Sequence, residues 1–179
     1  STDCIFSGNK KKPYKEDDHF DAYDLYGLTK ALGEKISRDH LVIRTSFVGP
    51  SLRNDSQELF SWFMSQKESV NGYTKSIWSG VTPLEAAKAA EKLMRLDISG
   101  IYHLTNNEPI SKYELLCKFK KYTDKKIEIV KVDGKESDKS FYDTRSLLEY
   151  KIPSYDEMIS SMVKDILNNK HLYSHYSLD

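Results

Sequence analysis

Glycine is thin in this chain and nowhere clustered. The eight glycines stand at 8, 27, 33, 49, 72, 80, 100 and 134, no two closer than six residues. That spacing excludes the glycine-rich turn with which many α/β proteins cradle a phosphate at a helix start. Cysteine is scarcer still. Cys4 and Cys117 alone cannot form a disulfide framework, and they have no metal-ligand spacing. The five histidines are scattered and predict no metal site. No apolar run approaches the ~18 residues of a membrane span, and no signal-peptide pattern is visible, so no membrane partner is expected. The Asn54-Asp55-Ser56 glycosylation acceptor carries little weight without such a signal. Net charge is absent too. With 27 basic against 27 acidic residues, no field draws the chain to nucleic acid, and Lys10-Lys11-Lys12 reads as a solvated loop. These absences together predict a soluble protein in a reducing, cytoplasmic setting.

At 179 residues the chain is long enough for one good-sized core or a lobe of something larger. It opens "STDCIF", where Cys4, Ile5 and Phe6 read as a strand end, which predicts a fragment whose earlier half is not present. A polar stretch over 7–22 follows. Leu25, Leu28, Leu32 and Ile36 recur at helical spacing and predict an amphipathic helix over about 24–39. "LVIRTSFVG" (41–49) reads as a buried strand ended by Gly49-Pro50, and 56–66 as a helix. Short strands are expected at 75–80, 100–105 and 126–132. Capping boxes at Thr82–Glu85, Ser111–Glu114 and Ser154–Glu157 mark three more helix starts, the first with Pro83 in the first turn. Residues 169–179 read as a fraying tail. Strands alternating with helices give an α/β sheet with parallel crossovers.

Within "DLYGLTKALGE" (24–34), Tyr26 precedes Lys30 by four positions, so the two share a helical face. The same spacing joins Tyr122 to Lys126, but there lysines crowd a helix end, and the pair reads as solvated surface. Tyr26/Lys30 instead begins a helix, 24 residues after Thr2 at the predicted strand end, where α/β sheets bind ligands. A strand, "VIRTSFVGP", follows. The set suits carbonyl reduction. A hydride reaching a ketone carbon leaves an alkoxide that needs a proton. A phenol, with an ordinary pKa near ~10, supplies that proton more readily beside an ammonium, and a threonine hydroxyl can polarise the same carbonyl. The alternative for Thr2 is a turn residue bonded to its own backbone.

"STDCIFSG", "PYKEDD", "YGLTKALGE" and "VIRTSFVGP" resemble the extended short-chain dehydrogenase/reductases, in particular the dTDP-4-dehydrorhamnose reductase-like sugar-nucleotide reductases. "GVTPLEAAKAAEKL" and "GIYHLTNNEPISKYELLCKF" extend the likeness over about residues 1–168. The resemblance implies the C-terminal part of a Rossmann-like parallel sheet plus a small α/β substrate-binding lobe. Its divisions would be a catalytic end at 1–50, mainly the lobe with returning strands and helices at 51–168, and a tail at 169–179. It implies Tyr26 as proton donor, Lys30 as its activator and a ribose ligand, and Thr2 as carbonyl partner. Thr2, Asp3 and Phe47 would touch the substrate, Phe47 standing where these reductases usually carry tryptophan. Cys4 after Thr2-Asp3, where sugar-nucleotide dehydratases carry an acid, favours reduction.

The implied cofactor is NADP or NAD, bound by Tyr26 and Lys30, with its glycine-rich cradle missing from this chain. The implied partner is a nucleotide-sugar substrate, under a lobe where Phe47, Tyr73 and Trp78 either cover the ligand or are simply core. A homodimer is compatible with the resemblance. Two rivals stay open: an epimerase or dehydratase of the same superfamily, and a non-catalytic binding subunit on the same fold.

Overall fold

The computed structural model describes residues 1–36, 39–54 and 57–178, the Ile36 side chain excepted. In chain order the elements are α1 (Leu25–Ile36), β1 (Leu41–Arg44), α2 (Leu59–Ser65), β2 (Ser69–Tyr73), β3 (Ser76–Trp78), α3 (Pro83–Leu93), β4 (Gly100–His103), β5 (Ile110–Ser111), α4 (Lys112–Thr123), β6 (Glu128–Val132), β7 (Ser137–Asp138) and α5 (Tyr155–Asn168). The expected Ile36 end of the leucine stripe, the Ser56 helix start and most of the Asn54-Asp55-Ser56 acceptor lie outside the described residues.

Parallel pairing dominates, as the strand–helix alternation predicts. β1 lies parallel to β4, from Leu41–Gly100 to Arg44–His103, and β2 lies parallel to β6. The exception is β3, which pairs antiparallel with β5 and parallel with β7. Three strands have no counterpart in the sequence reading. β5 and β7 are two residues each, and β2 buries Val70 but sets Gly72 at its second inward position. A Cβ at Gly72 would press on Tyr113, so close helix–strand packing there requires a residue with no apolar signal.

The first residues run alongside β1. The Ser1 ammonium donates to the Ile43 carbonyl at 2.6 Å, and Thr2 faces Thr45 in a parallel bridge. Thr2 then caps a short 3-10 turn, Asp3–Ile5, by accepting the Cys4 N–H at 3.2 Å.

Two capping boxes form in full, at Ser111–Glu114 and Ser154–Glu157. The third forms by half. Thr82 accepts the Glu85 N–H, but the buried Glu85 carboxylate accepts from the Tyr150 hydroxyl at 2.9 Å instead of reaching back. A buried carboxylate needs its own donor, and Tyr150 supplies it.

The main core gathers α2–α5 around Phe60, Phe63, Trp78, Leu115, Phe119 and Ile159. Phe60 meets Phe119 edge to face at 5.2 Å, a contact of about 0.5–1.5 kcal/mol beyond its area. A second, smaller core holds Ile5, Phe6, Tyr14, Ala31 and Phe141. Tyr14 belongs to the stretch read as a polar loop, yet it is buried and stacked on Phe6 at 3.9 Å. The C-terminal segment is also held rather than frayed. The Tyr176 hydroxyl bonds Ser61 Oγ at 2.5 Å and accepts the Ser51 N–H at 2.9 Å.

The largest departure is in α1. The leucine stripe faces outward, with Leu25 at 78%, Leu28 at 37% and Leu32 at 57% exposure. The inward side is Gly27, Ala31 and Glu34, because small residues permit close approach to the Asp3–Ile5 turn and Glu34 finds a buried arginine.

Candidate active site

The site begins where α1 meets the Thr2–Asp3–Cys4 turn. Asp24 starts the helix, its Oδ1 accepting the Gly27 N–H at 2.9 Å and its carbonyl the Leu28 N–H at 3.0 Å. Just upstream, the Ile5 carbonyl accepts the Asp21 and Ala22 N–H groups, and Asp21 in turn accepts from Ser7. Gly27 seals the junction. A Cβ there would collide with the Cys4 carbonyl oxygen and with Ala22.

On the outer face, Tyr26 is 54% exposed and the Lys30 Nζ lies 5.7 Å from its ring centroid. Neither the phenol nor the ammonium is hydrogen-bonded to a described residue, so both remain available to a ligand. Thr2 is differently placed. Its hydroxyl accepts the Cys4 N–H and donates to Asp3 Oδ1, both at 3.2 Å. The turn-residue role read for Thr2 is therefore satisfied, and donation to a ligand requires its proton to turn away from Asp3. Asp3 is 6% exposed and also accepts from the Cys4 thiol. Burial pushes the Asp3 carboxyl up, while Lys139 and Lys112 pull it back. Burial, with Asp3 beside it, pushes the Cys4 thiol up, so Cys4 stays a thiol.

Phe47 lies two residues beyond Thr45, the strand partner of Thr2, and bridges Val81. It is exposed and lines a cleft of about 400 Å³ with Pro50, Glu58 and Pro83. Tyr73 is exposed and packs on Gly134. Trp78 is core, 4% exposed with Tyr155 at 5.9 Å, which decides between its two readings. Tyr122 is bonded to Asp156 at 2.7 Å, a tie between α4 and α5 rather than free surface.

Behind α1 lies a polar network that the sequence reading missed. Arg44, 3% exposed, grips Glu34 with Nε at 2.9 Å and Nη2 at 2.7 Å from its two carboxylate oxygens. Its Nη1 donates to the Glu16 carbonyl at 3.2 Å and to His103 Nε2 at 3.3 Å. Since Arg44 can only donate, His103 Nε2 accepts, and Nδ1–H donates to the Tyr142 carbonyl at 3.2 Å. Burial pushes His103 down to about 4, helped by Arg44 and opposed by Glu16, so it is neutral near pH 7. Glu16 also accepts from the His103 N–H and from Thr144. The available signal was a charged residue ending the apolar run "LVIR" and a glutamate on the small-residue side of α1. An apolar cleft of about 490 Å³ under Phe20, Ala31 and Val42 opens beside this network, away from Tyr26. Among the described residues no cluster of three or more His, Cys, Asp or Glu could hold a metal, and no helix is long and apolar enough to cross a membrane.

A family model described as the RmlD substrate binding domain matches residues 1–140, more than half of the chain, with Thr2, Asp3, Tyr26, Lys30 and Phe47 inside the match. The chain belongs to the RmlD substrate-binding domain family. Two relatives carry the family likeness at the level of sequence. The spore coat polysaccharide biosynthesis protein SpsK of Bacillus subtilis (strain 168) is 34% identical over 118 residues, 64% of this chain and 41% of that protein. The dTDP-4-dehydrorhamnose reductase of Escherichia coli (strain K12) is 26% identical over 123 residues, again 64% and 41%. The match thus spans about two fifths of each curated relative. At the level of fold, the dTDP-4-dehydrorhamnose reductase of Bacillus anthracis str. Ames, solved with NADP, superposes with a TM-score of 0.77 at 21% identity, covering 92% of this chain and 64% of that one. The α/β architecture expected for an RmlD-like chain is therefore the one found.

Proposed function

We propose that this RmlD-family chain carries the catalytic strand end and the substrate lobe of an NAD(P)-dependent reductase. The enzyme would reduce the 4-keto group of a nucleotide-linked deoxysugar. The observation that carries the reading is the docking of α1. Gly27 packs the helix against the Cys4 carbonyl of the turn that Thr2 caps, and Tyr26 and Lys30 lie together on that helix, Tyr26 exposed.

The residues fit one end of a nicotinamide cofactor, since Tyr26 and Lys30 offer uncommitted donors suited to a ribose hydroxyl. They do not fit its diphosphate, because eight scattered glycines build no cradle, so in this reading sequence beyond this chain holds that part. When bound, the cofactor supplies a hydride. The chain's own part is protonic and positional. Thr2 turns its proton from Asp3 to the carbonyl oxygen, Tyr26 donates the proton that the forming alkoxide needs, and Lys30 compensates the negative charge left on the phenol. Phe47 walls the sugar, with Asp3 as a hydrogen-bond acceptor for it. Residues 1–50 form the catalytic end of the Rossmann-like part, 51–168 mainly the lobe, and 169–179 the tail. Free Cys4 and Cys117 suit a reducing cytoplasm.

The test is substrate choice. The chain joined to its cofactor-binding half should consume NADPH with a dTDP- or UDP-4-keto-6-deoxyhexose and hardly at all with cyclohexanone. The remote nucleotide provides binding energy that orients the sugar. Equal rates on cyclohexanone would contradict the sugar-nucleotide reading while leaving Tyr26 as the acid.

A further inference from the structure

Beyond α5 the chain continues as a run of turns, with the Tyr173 N–H on the Lys170 carbonyl and the Tyr176 N–H on the Tyr173 carbonyl. Tyr176 carries this segment onto α2. Its ring stands edge-on to Phe60 at 5.5 Å, with His175 against it at 4.2 Å. Held there, the hydroxyl meets three groups. It accepts the Ser51 N–H at 2.9 Å, shares a hydrogen bond with Ser61 Oγ at 2.5 Å, and lies 3.4 Å from the Ser51 carbonyl. A phenol has one proton to give and lone pairs to receive, so these partners use its full capacity. Ser61 is buried, and Tyr176 supplies the partner that a buried hydroxyl needs.

The two residues that Tyr176 joins bracket part of the Phe47 cleft. Ser51 lines that cleft of about 400 Å³, and so does Glu58, three residues before Ser61. At Gly49 the lining is fixed by packing, since a Cβ there would strike the Pro83 ring. Past Pro50 that contact is left behind, and among the described residues no helix or strand begins before Leu59. The start of α2 is weakly secured as well. Glu58 at its N-cap makes no side-chain capping bond, unlike Ser111 and Ser154 at α4 and α5. The Tyr176 hydroxyl secures both places at once, the backbone of Ser51 and the first turn of α2.

We propose that Tyr176 is a positioning residue whose hydroxyl clamps Ser51 to Ser61 and thereby holds the Phe47 cleft in the shape that receives the sugar. Tyr176 does not itself line the cleft, so it acts through Ser51 and through the α2 turn that bears Glu58. That the cleft receives a sugar rests on the reading of Phe47 under the proposed function. That Tyr176 holds its wall does not.

Tyr176→Phe keeps the ring against Phe60 and removes only the hydroxyl. In this chain, amide hydrogen exchange should quicken at least ~10-fold at Ser51 and at Trp62, with the β1 and β4 amides unchanged. Trp62 is the telling position, because its N–H closes the first α2 turn on the Glu58 carbonyl at 2.8 Å. A change at Ser51 alone would show a local hydrogen bond and no clamp, which overturns the proposal. In the chain joined to a cofactor-binding half, KM for the 4-keto nucleotide sugar should rise at least ~10-fold while kcat stays within about twofold. That split is the mark of lost binding with the chemistry left intact. A purely stabilising Tyr176 would lower the melting temperature and leave KM unchanged, which also overturns the proposal. Should Tyr176→Phe unfold at the assay temperature, Ser61→Ala cuts the same bond from the α2 side and replaces it. If the unsubstituted enzyme does not consume NADPH with the sugar, the functional reading fails and the exchange at Trp62 alone decides the clamp.

Discussion

Gly27 lies so close to the Cys4 carbonyl that no side chain fits between them. That one contact fixes the distance between the helix bearing Tyr26 and Lys30 and the turn bearing Thr2. Gly27→Ala would gain about 1 kcal/mol of helix propensity. The new methyl meets backbone, which cannot swing aside, and overpacking of this kind costs about 1–3 kcal/mol. We expect a lowered urea midpoint and, if the proposed reductase activity holds, a loss of that activity beyond what the stability change explains. A midpoint raised by the full propensity gain would show that the contact is loose.

The bidentate Arg44–Glu34 pair ties α1 to β1 in a buried setting. Arg44→Met leaves the Glu34 carboxylate buried without its partner and should cost about 3–5 kcal/mol. Arg44→Met with Glu34→Leu should recover much of that loss, since two apolar groups carry no desolvation penalty. Chemical denaturation of the two variants checks the order.

His103 makes the fold sensitive to mild acid. Its folded value is about 4 against an ordinary 6.5, so the unfolded chain binds the proton more readily. The corresponding stability is fully present above pH 6.5, falls as pH drops from 6.5 toward 4, and is gone below 4. The magnitude is of order 3 kcal/mol. Melts between pH 7.5 and 4 should show a steeper decline for the unsubstituted chain than for His103→Gln. Parallel declines would place the acid sensitivity elsewhere.

Why was the placing of Tyr26, Lys30 and Thr2 legible in the sequence while the Arg44–Glu34 pair was not? The first three follow from local rules, in which i to i+4 spacing puts two residues on one helix face and a hydroxyl before a short turn caps it. The others depend on which distant segments meet. Arg44 and His103 face each other only because β1 and β4 pair in one register. The same limit explains α1. Leucine spacing identified a helix correctly, but the inward side was chosen by close approach at Gly27 and by the Glu34 pair, neither of which has an apolar signature. β5 and β7, two residues each, are set by the neighbours they pair with and carry no pattern of their own.

The scattered glycines give a prediction for the cofactor. Titrated alone with NADPH, this chain should show no binding tighter than about millimolar, because most of the affinity for a dinucleotide comes from a diphosphate cradle absent here. A micromolar dissociation constant would reveal a cradle built from other residues.

Whether Tyr26 is the proton donor is decided by the turnover of Tyr26→Phe, in the chain joined to a cofactor-binding half, with a 4-keto nucleotide sugar and NADPH. The Tyr26 ring is half exposed, and its hydroxyl makes no hydrogen bond to a described residue, so the substitution removes one oxygen and leaves the fold undisturbed. As the general acid, Tyr26 should be worth at least ~100-fold in kcat, the usual scale of such a loss, with little change in melting temperature. An unchanged kcat would contradict that role.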